Sequence, residues 1–233
     1  MATLFLIPTV LAPDTAFQVL VPQVREVIIQ TDVFFAENLR TTRRFISELK
    51  TGKKIEDLTF FELTKDTPAS ETQKQIQELV QKGLDVGVIS EAGCPGIADP
   101  GAVAVRFAHE YGMKVVPLVG PSSILLTLMG SGFNGQSFAF LGYLPIEKQE
   151  RQRRIQQIEK TALTGQTQLF METPYRNNAL LDDLLRICRP DSRLCIGSNL
   201  TSEEESVHTR TIWQWQQQKP DLHKKPTIFA LGI

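Results

Sequence analysis

Short apolar runs alternate with helix-length amphipathic segments, and this alternation restricts the fold more than any other feature of the sequence. The runs have the length and the β-branched and aromatic content of strands. They are Leu4–Pro8, Val33–Ala36, Phe60–Leu63, Val86–Ser90, Lys114–Leu118, Phe138–Gly142, Gln168–Met171, Arg193–Gly197 and Thr227–Leu231. Strands that alternate with helices predict an α/β fold, with mostly parallel pairing in the first half.

Apolar residues recur at helical spacing between several of these strands. Gly83 and Gly112 each follow such a segment, and glycine ends a helix well because it tolerates a positive φ. The predicted helices are Arg40–Lys50, Ser70–Lys82, Val103–Tyr111, Arg153–Lys160 and Asn178–Ile187.

The pattern becomes less regular near Val119–Gly120, because the second half has fewer helices between its strands. Ser206–Trp213, for example, has the composition of one more strand. The change predicts two α/β lobes, residues 1–118 and residues 119–233.

Composition excludes several classes of protein. In 233 residues, 42% hydrophobic and 22% charged residues are typical of a globular chain, and a net charge of −1 gives no global attraction to nucleic acid. No apolar stretch approaches the roughly 18 residues of a membrane span, and the start, MATLFLIPTVLAPD, predicts a first strand rather than a signal peptide. Cys94, Cys188 and Cys195 have neither metal-ligand spacing nor an even count, so a reducing cytoplasm is the predicted location.

The segment VISEAGCPGIADPGAVAVRF, Val88–Phe107, places three glycines and two prolines after a buried-looking strand. Glycine permits a positive φ and a close approach of the backbone to a ligand, while proline stiffens the loop. A ligand-binding loop and a stiff connection in which Asp99 caps the next helix fit this spacing equally well.

The segment VVPLVGPSSILLTLMGSG, Val115–Gly132, runs from a strand through Gly-Pro-Ser-Ser into an apolar helix. Ser122 and Ser123 either cap that helix or present hydroxyl and amide groups to a ligand carboxylate at its positive end. Capping is the more common role of such residues, and the two roles are compatible.

The segment AENLRTTRRF, Ala36–Phe45, brings a carboxylate, an amide and a guanidinium to the end of a strand. Glu37, Asn38 and Arg40 in this arrangement can orient a substrate and accept a proton. An exposed ion pair at the start of a helix produces the same pattern, and spacing alone favours that second interpretation.

Several familiar motifs are absent from the sequence. No GxGxxG follows the first strand, no GxxxxGK[ST] occurs, and the three histidines are scattered. A dinucleotide fold, a P-loop, a zinc site and a Ser-His-Asp triad are therefore unsupported.

Taken in order, LFLIPT, AENLRTT, VISEAGCPGIADPG, VVPLVGPSSILLTLMGSG and FLGYLP resemble motifs of the tetrapyrrole methylase superfamily. They are most similar to the branch that methylates ribose hydroxyls in bacterial small-subunit ribosomal RNA. LFMETPYR, SNLTSEEESVHT and PTIFALG follow in the expected order, so the resemblance covers nearly the whole chain. It implies two α/β lobes with S-adenosylmethionine in the cleft between them, usually in a homodimer.

The resemblance also implies roles for individual residues. Glu37, Asn38 and Arg40 are expected to face the methyl acceptor, with Glu37 as the first candidate for a general base and Glu91 as the second. The residues expected to line the cofactor are Pro8, Glu91, Gly93, Cys94, Ile97, Ala98, Ser122, Ser123, Met171, Leu200 and Thr227.

The sequence departs from the branch pattern mainly on the acceptor side. PTVLAPDT stands where the branch has PTPIGNL, Asn38 replaces an acid and Cys94 replaces a threonine. The leading hypothesis is a methyltransferase for an RNA ribose hydroxyl or a similar acceptor, with neither DNA nor a membrane as partner. A small-molecule, tetrapyrrole-like methylase and a binding protein that keeps the cofactor without catalysis remain alternatives.

Overall fold

The structure is a computed structural model that describes residues 2–233. The chain divides into two compact units, Met1–Ser122 and Ser123–Ile233. The lobe boundary after residue 118 stays a prediction. Within residues 2–233, no helix is both long enough and apolar enough to cross a bilayer.

The first unit is built around a sheet of five strands in the order β3-β2-β4-β1-β5. The strands are β1 (Thr3–Ile7), β2 (Val33–Ala36), β3 (Thr59–Glu62), β4 (Val86–Ile89) and β5 (Lys114–Pro117). All neighbouring strands pair in parallel, which confirms the prediction for this half. The inner strands β2 and β4 are buried throughout, because helices cover both faces of a parallel sheet.

The helices of this unit are α1 (Ala16–Val19), α2 (Pro22–Gln30), α3 (Leu39–Glu48), α4 (Ala69–Lys82) and α5 (Gly101–Glu110). Helices α1 to α3 pack on one face of the sheet, with Ile28 and Ile46 fully buried. Helices α4 and α5 pack on the other face. Gly83 ends α4 with a φ of 66°, as the sequence predicted.

This arrangement makes β4 the point where the winding of the sheet reverses. The chain leaves the neighbouring strands β1 and β2 toward the face covered by α1 to α3 and leaves β4 toward the face covered by α5. In open α/β sheets, ligands bind outside the carboxyl ends of strands at such a point. A ligand is therefore expected at the loops that follow β1 and β4.

The second unit has a mixed sheet in the order β6-β7-β10-β8-β9. Its strands are β6 (Phe138–Tyr143), β7 (Thr167–Met171), β8 (Arg193–Ser198), β9 (Ser206–Thr211) and β10 (Thr227–Gly232), and its helices are α6 (Ser123–Ser131), α7 (Lys148–Ala162), α8 (Asn177–Ile187) and α9 (Ile212–Gln217). The pair β6–β7 is parallel and the other pairs are antiparallel. Helix α6 packs on one face and α7 to α9 pack on the other.

The prediction of a strand over Ser206–Trp213 is wrong at its end, because β9 stops at Thr211 and α9 follows. The Thr211 hydroxyl accepts from Gln214 N at 3.2 Å, and the Gln214 side chain accepts from Thr211 N at 2.9 Å. This capping box satisfies amides that would otherwise lack partners at the helix start. Trp215 is then buried and donates to the Leu194 carbonyl at 2.9 Å.

Candidate functional site

The loops after β1, β4 and β5 pack against one another at the carboxyl end of the first sheet. Thr9 N, just beyond β1, donates to Gly93 O in the loop after β4 at 2.9 Å. A Cβ on Gly120, in the loop after β5, would lie 2.2 Å from Cβ of Pro8. Because only a residue without a side chain fits there, the Gly120 backbone packs directly on the Pro8 ring.

Cys94 joins the second and third of these loops. Its thiol donates to the carbonyl oxygens of Pro121 at 3.3 Å and Gly120 at 3.7 Å. Burial, together with the charge of Asp99, raises the pKa of the Cys94 thiol, so the group keeps the proton that it donates. The cysteine that replaces the threonine of the related branch therefore still supplies a hydrogen-bond donor.

Asp99 organises the glycine-rich loop. Its Oδ1 accepts from Gly96 N at 2.8 Å and from Gly101 N, at the start of α5, at 2.7 Å. Its Oδ2 is buried and has no partner within residues 2–233. Burial raises the pKa of this carboxyl, and the two backbone bonds oppose that shift. The sequence predicted Asp99 only as a helix cap, and its second bond, across the loop to Gly96 N, was not foreseen.

Ile97 and Ala98 form the exposed tip of the same loop. The Ile97 side chain is 55% exposed, and Ala98 has a φ of 62°, in the left-handed region that an alanine rarely adopts. The Asp99 bonds on either side hold this strained backbone in place. An apolar side chain held at an exposed loop tip is available for a ligand.

Glu37 joins the loop after β2 to the loop after β4. Its Oε2 accepts from Glu91 N at 3.0 Å, and its own N donates to Ile89 O at 3.3 Å. Burial is the main cause that raises the pKa of Glu37, the charges of Asp99 and Glu91 add to the rise, and the bond from Glu91 N opposes it. A carboxylate with a raised pKa is a stronger base than an ordinary glutamate.

Asn38 caps helix α3. Its Oδ1 accepts from Arg40 N at 3.0 Å and from Thr41 N at 3.2 Å. The side chain of Arg40 is exposed, and within residues 2–233 it has no ion pair, so the alternative of an ion pair at the helix start does not hold. The three residues predicted to face the acceptor therefore differ. The Glu37 side chain is bonded to another loop, the Asn38 side chain caps its own helix, and the Arg40 side chain is exposed.

A pocket of about 220 Å³ opens beside these loops in the first unit. It is lined by the segment Thr9–Asp14, by part of α3 and by Ser90, Glu91 and Ala92. Its ionisable lining residues are three acids, Asp14, Glu48 and Glu91, and one base, Arg44. We call it the acidic pocket.

In the second unit, three predicted cofactor residues lie at one edge of the sheet. Met171 ends β7 and pairs with Ile228, while Thr227 begins β10 and pairs with Ser198 at the end of β8. Leu200 follows β8 directly and is buried. Ser123 begins α6, and Ser122 is the last residue of the first unit.

Within residues 2–233, no group of three or more histidine, cysteine, aspartate or glutamate side chains is arranged to hold a metal ion. The candidate site therefore consists of backbone amides and carbonyls, one thiol and carboxylates. Such a set can hold a cationic ligand and accept a proton.

Comparison with known proteins identifies the family to which this chain belongs. A relative from Halalkalibacterium halodurans named ribosomal RNA small subunit methyltransferase I is 34% identical over 158 residues, 68% of this chain and 52% of the relative. The chain thus spans about half the length of that protein. A relative of the same name from Buchnera aphidicola is 25% identical and covers 98% of this chain and 78% of its own length.

The crystal structure of the methyltransferase CobJ has the same fold, with a TM-score of 0.63, 15% identity, and coverage of 99% of this chain and 93% of that one. The sequence model of the tetrapyrrole (corrin/porphyrin) methylases matches residues 20–214. This match covers the larger part of both sheets and every predicted site residue except Pro8 and Thr227. The chain belongs to the tetrapyrrole methylase family.

Proposed function

We propose that the protein is a methyltransferase that uses S-adenosylmethionine to methylate a ribose hydroxyl of small-subunit ribosomal RNA. One observation carries this proposal: Glu37, a half-buried carboxylate with a raised pKa, is bonded to the glycine-rich loop at the point where the sheet winding reverses. The names of the relatives support the choice of acceptor.

The chemistry of the loops suits S-adenosylmethionine. Between Glu91 and Gly101 the loop carries two carboxylates, Glu91 and Asp99, and no lysine or arginine. This balance favours a ligand with a cationic sulfur over a phosphate. Gly93 has a φ of 73°, and a Cβ there would lie 3.3 Å from Pro121 O, so the absence of a side chain keeps the backbone accessible at a tight point.

The residues that we propose hold the cofactor are Pro8, Glu91, Gly93, Cys94, Ile97, Ala98, Ser122, Ser123, Met171, Leu200 and Thr227. When bound, S-adenosylmethionine would supply a methyl group on a cationic sulfur: the acceptor oxygen would take the methyl in line, and the sulfur would leave as the neutral thioether of S-adenosylhomocysteine. The amides at the start of α6 suit the methionine carboxylate.

We assign proton removal from the acceptor hydroxyl to Glu37, with Glu91 as the second candidate. Positioned general bases accelerate such steps by roughly 10²–10⁴-fold. Asn38 fixes the start of α3, so its contribution is to position the Glu37 backbone. The exposed Arg40 side chain is suited to a phosphate of the acceptor strand.

Two further features belong to this proposal. We infer a homodimer, as the family resemblance implies, and a cytoplasmic location, which the free thiols of Cys94, Cys188 and Cys195 support. Light scattering coupled to gel filtration tests the first, because a monomer at micromolar concentration would contradict it.

The direct test is transfer of a radiolabelled methyl group from S-adenosylmethionine to isolated small ribosomal subunits. Large subunits and a tetrapyrrole precursor are the alternative acceptors. We expect label in small-subunit RNA, on a nucleotide whose neighbouring phosphodiester resists alkaline hydrolysis because its ribose hydroxyl is blocked. Label on the tetrapyrrole alone favours the small-molecule methylase, and binding of the cofactor without transfer to any acceptor favours the non-catalytic alternative.

A further inference from the structure

A second pocket, of about 300 Å³, lies in the second unit between strand β9 and the segment that follows α9. Its polar and aromatic lining comes from Ser198, Ser206, His208, Arg210, Trp215 and Lys219. No aspartate or glutamate is among its lining residues. We call it the basic pocket, because two permanent cations and an imidazole share it in a chain whose net charge is −1.

The strand geometry explains why these side chains meet. Side chains alternate across a strand, so Ser206, His208 and Arg210 share one face of β9, while Val207 packs on the other face. The segment from Gln218 to Leu222 then folds back over that face and brings Lys219 to the same pocket. The pocket is thus built by secondary structure and by a fixed return of the chain.

The guanidinium of Arg210 is held in place but not neutralised. The guanidinium carbon, Cζ, lies 4.9 Å from the Trp215 ring centroid, and Nη1 donates to Oε1 of Gln218 at 2.8 Å. Within residues 2–233 it has no carboxylate partner, whereas the Lys219 ammonium of the same pocket pairs with Asp182 at 2.5 Å, with both side chains exposed. An ion pair exposed to water is weak, so Lys219 can exchange Asp182 for a phosphate. A stacked guanidinium with unused donors is the usual arrangement for binding phosphate.

The pocket begins at the sheet edge that carries the predicted cofactor residues of this unit. Ser198 pairs with Ser206 on one side and with Thr227 on the other. From Ser206 to Arg210 the strand covers about 13 Å at ~3.3 Å per residue. A volume of about 300 Å³ is at the lower limit for small-ligand sites and suits one nucleotide of an extended strand.

We propose that the basic pocket binds the phosphate backbone of a single RNA strand and leads that strand to the edge at Thr227. This inference rests on the proposed function for the identity of the strand. The proposal requires a phosphate group that binds between Arg210, His208 and Lys219. Free nucleotides carry the same phosphate group. The test must therefore separate a phosphate of RNA from a phosphate of a mononucleotide.

The test uses the full chain, a fluorescein-labelled single-stranded RNA 12-mer from small-subunit RNA, and adenosine monophosphate as competitor. Variants Arg210→Gln and Lys219→Gln remove one cation each. Arg193→Gln is the matched control, because Arg193 lies on neighbouring strand β8, over Phe133 at 5.8 Å, and lines no part of the pocket. Anisotropy between 50 and 200 mM salt gives affinity and salt slope, and calorimetry with S-adenosylmethionine reports on the cofactor site.

We expect Arg210→Gln to weaken RNA binding about tenfold and to reduce the slope of log K against log salt by about one. Lys219→Gln should act in the same direction, Arg193→Gln should behave as wild type, and all three should bind the cofactor normally. If the pocket variants match wild type while wild type binds and methylates RNA, the pocket proposal fails and the proposed function stands. If wild type does not bind the 12-mer, the pocket proposal fails, and methyl transfer to small subunits decides the proposed function separately. Displacement by equimolar adenosine monophosphate overturns the assignment to RNA.

Discussion

The acidic pocket of the first unit and the basic pocket of the second are similar in size and opposite in charge. The acidic pocket has three carboxylates and one guanidinium in its lining, whereas the basic pocket has a guanidinium, an ammonium and an imidazole and no carboxylate. Each charge pattern follows from where the residues lie in the fold. The acids come from loops and a helix beside the carboxyl ends of parallel strands, and the bases come from one face of an edge strand and a returning loop.

The difference in charge suggests that the two pockets bind different ligands, which the net charge of the whole chain does not show. A chain with a net charge of −1 has no overall attraction to RNA, but local charge of either sign still acts within about 8 Å at physiological salt. The acidic region suits a cationic methyl donor and the basic region suits a polyanionic acceptor.

The largest effect is expected from Glu37→Gln. Loss of the carboxylate that we propose as the general base should reduce the methyl-transfer rate by ~10²-fold or more, with cofactor affinity unchanged. Single-turnover transfer and calorimetry measure the two quantities. Glu62→Gln is the control, because Glu62 pairs with Ala36 at the end of neighbouring strand β3 and is exposed. An equal loss of transfer rate in both variants would show that Glu37 is not the general base.

Asp99→Ala should have the next largest effect, because it frees the amides of Gly96 and Gly101. We expect the free energy of unfolding to fall by ~2–4 kcal/mol and cofactor affinity to fall about tenfold. Denaturant titration and calorimetry measure both. Asp99→Asn keeps an oxygen acceptor and should lose less, and an Asp99→Ala protein with normal stability would show that the loop is held by other contacts.

Exchanging the charges of the two pockets tests their division directly. Glu91→Lys should weaken S-adenosylmethionine binding about fivefold and leave RNA binding unweakened, and Lys219→Glu should do the reverse. The fivefold figure corresponds to about 1 kcal/mol of interaction between charges close to the surface. If each variant weakened both ligands equally, the contrast between the pockets would have no functional meaning.

The smallest effect is a shift in pH dependence. A base acts in its deprotonated form, so the transfer rate should fall as pH drops through the pKa of Glu37, which burial raises above its ordinary value. The charge of Glu91 adds to that rise, so Glu91→Gln should move the acid limb of kcat/KM to lower pH. Glu62→Gln should leave the acid limb of kcat/KM in place. If Glu91→Gln does not move that limb, the titration that produces it is not that of Glu37.

The strands were predictable because each is an apolar run bounded by polar residues or glycine. The helices α1 and α2 were missed because they are short and lie on either side of Leu20 and Val21, with Pro22 as the first residue of α2. The pattern TAFQVLVPQVREVIIQ has no clear helical period before that proline. Helix α9 was missed because Trp213 and Trp215 have strand propensity, and a capping box with tertiary burial of Trp215 decided the outcome.

The sequence indicated which loops form the candidate site but not how they are joined. Glu37 and Glu91 are 54 residues apart, and their hydrogen bond depends on the pairing of β2 with β4. Ser206, His208 and Arg210 alternate in the sequence, but which residues line the pocket beside them depends on how the chain returns near Lys219. Sequence patterns record local periods, whereas these contacts require the topology.

The central claim, that the loops of a tetrapyrrole methylase fold hold S-adenosylmethionine in this chain, is tested most directly by calorimetric titration of the purified protein. The titrants are S-adenosylmethionine and S-adenosylhomocysteine. The account predicts about one site per chain with a dissociation constant in the micromolar range, which corresponds to about −8 kcal/mol. Absence of heat with both ligands at millimolar concentration, in protein shown to be folded, would contradict it.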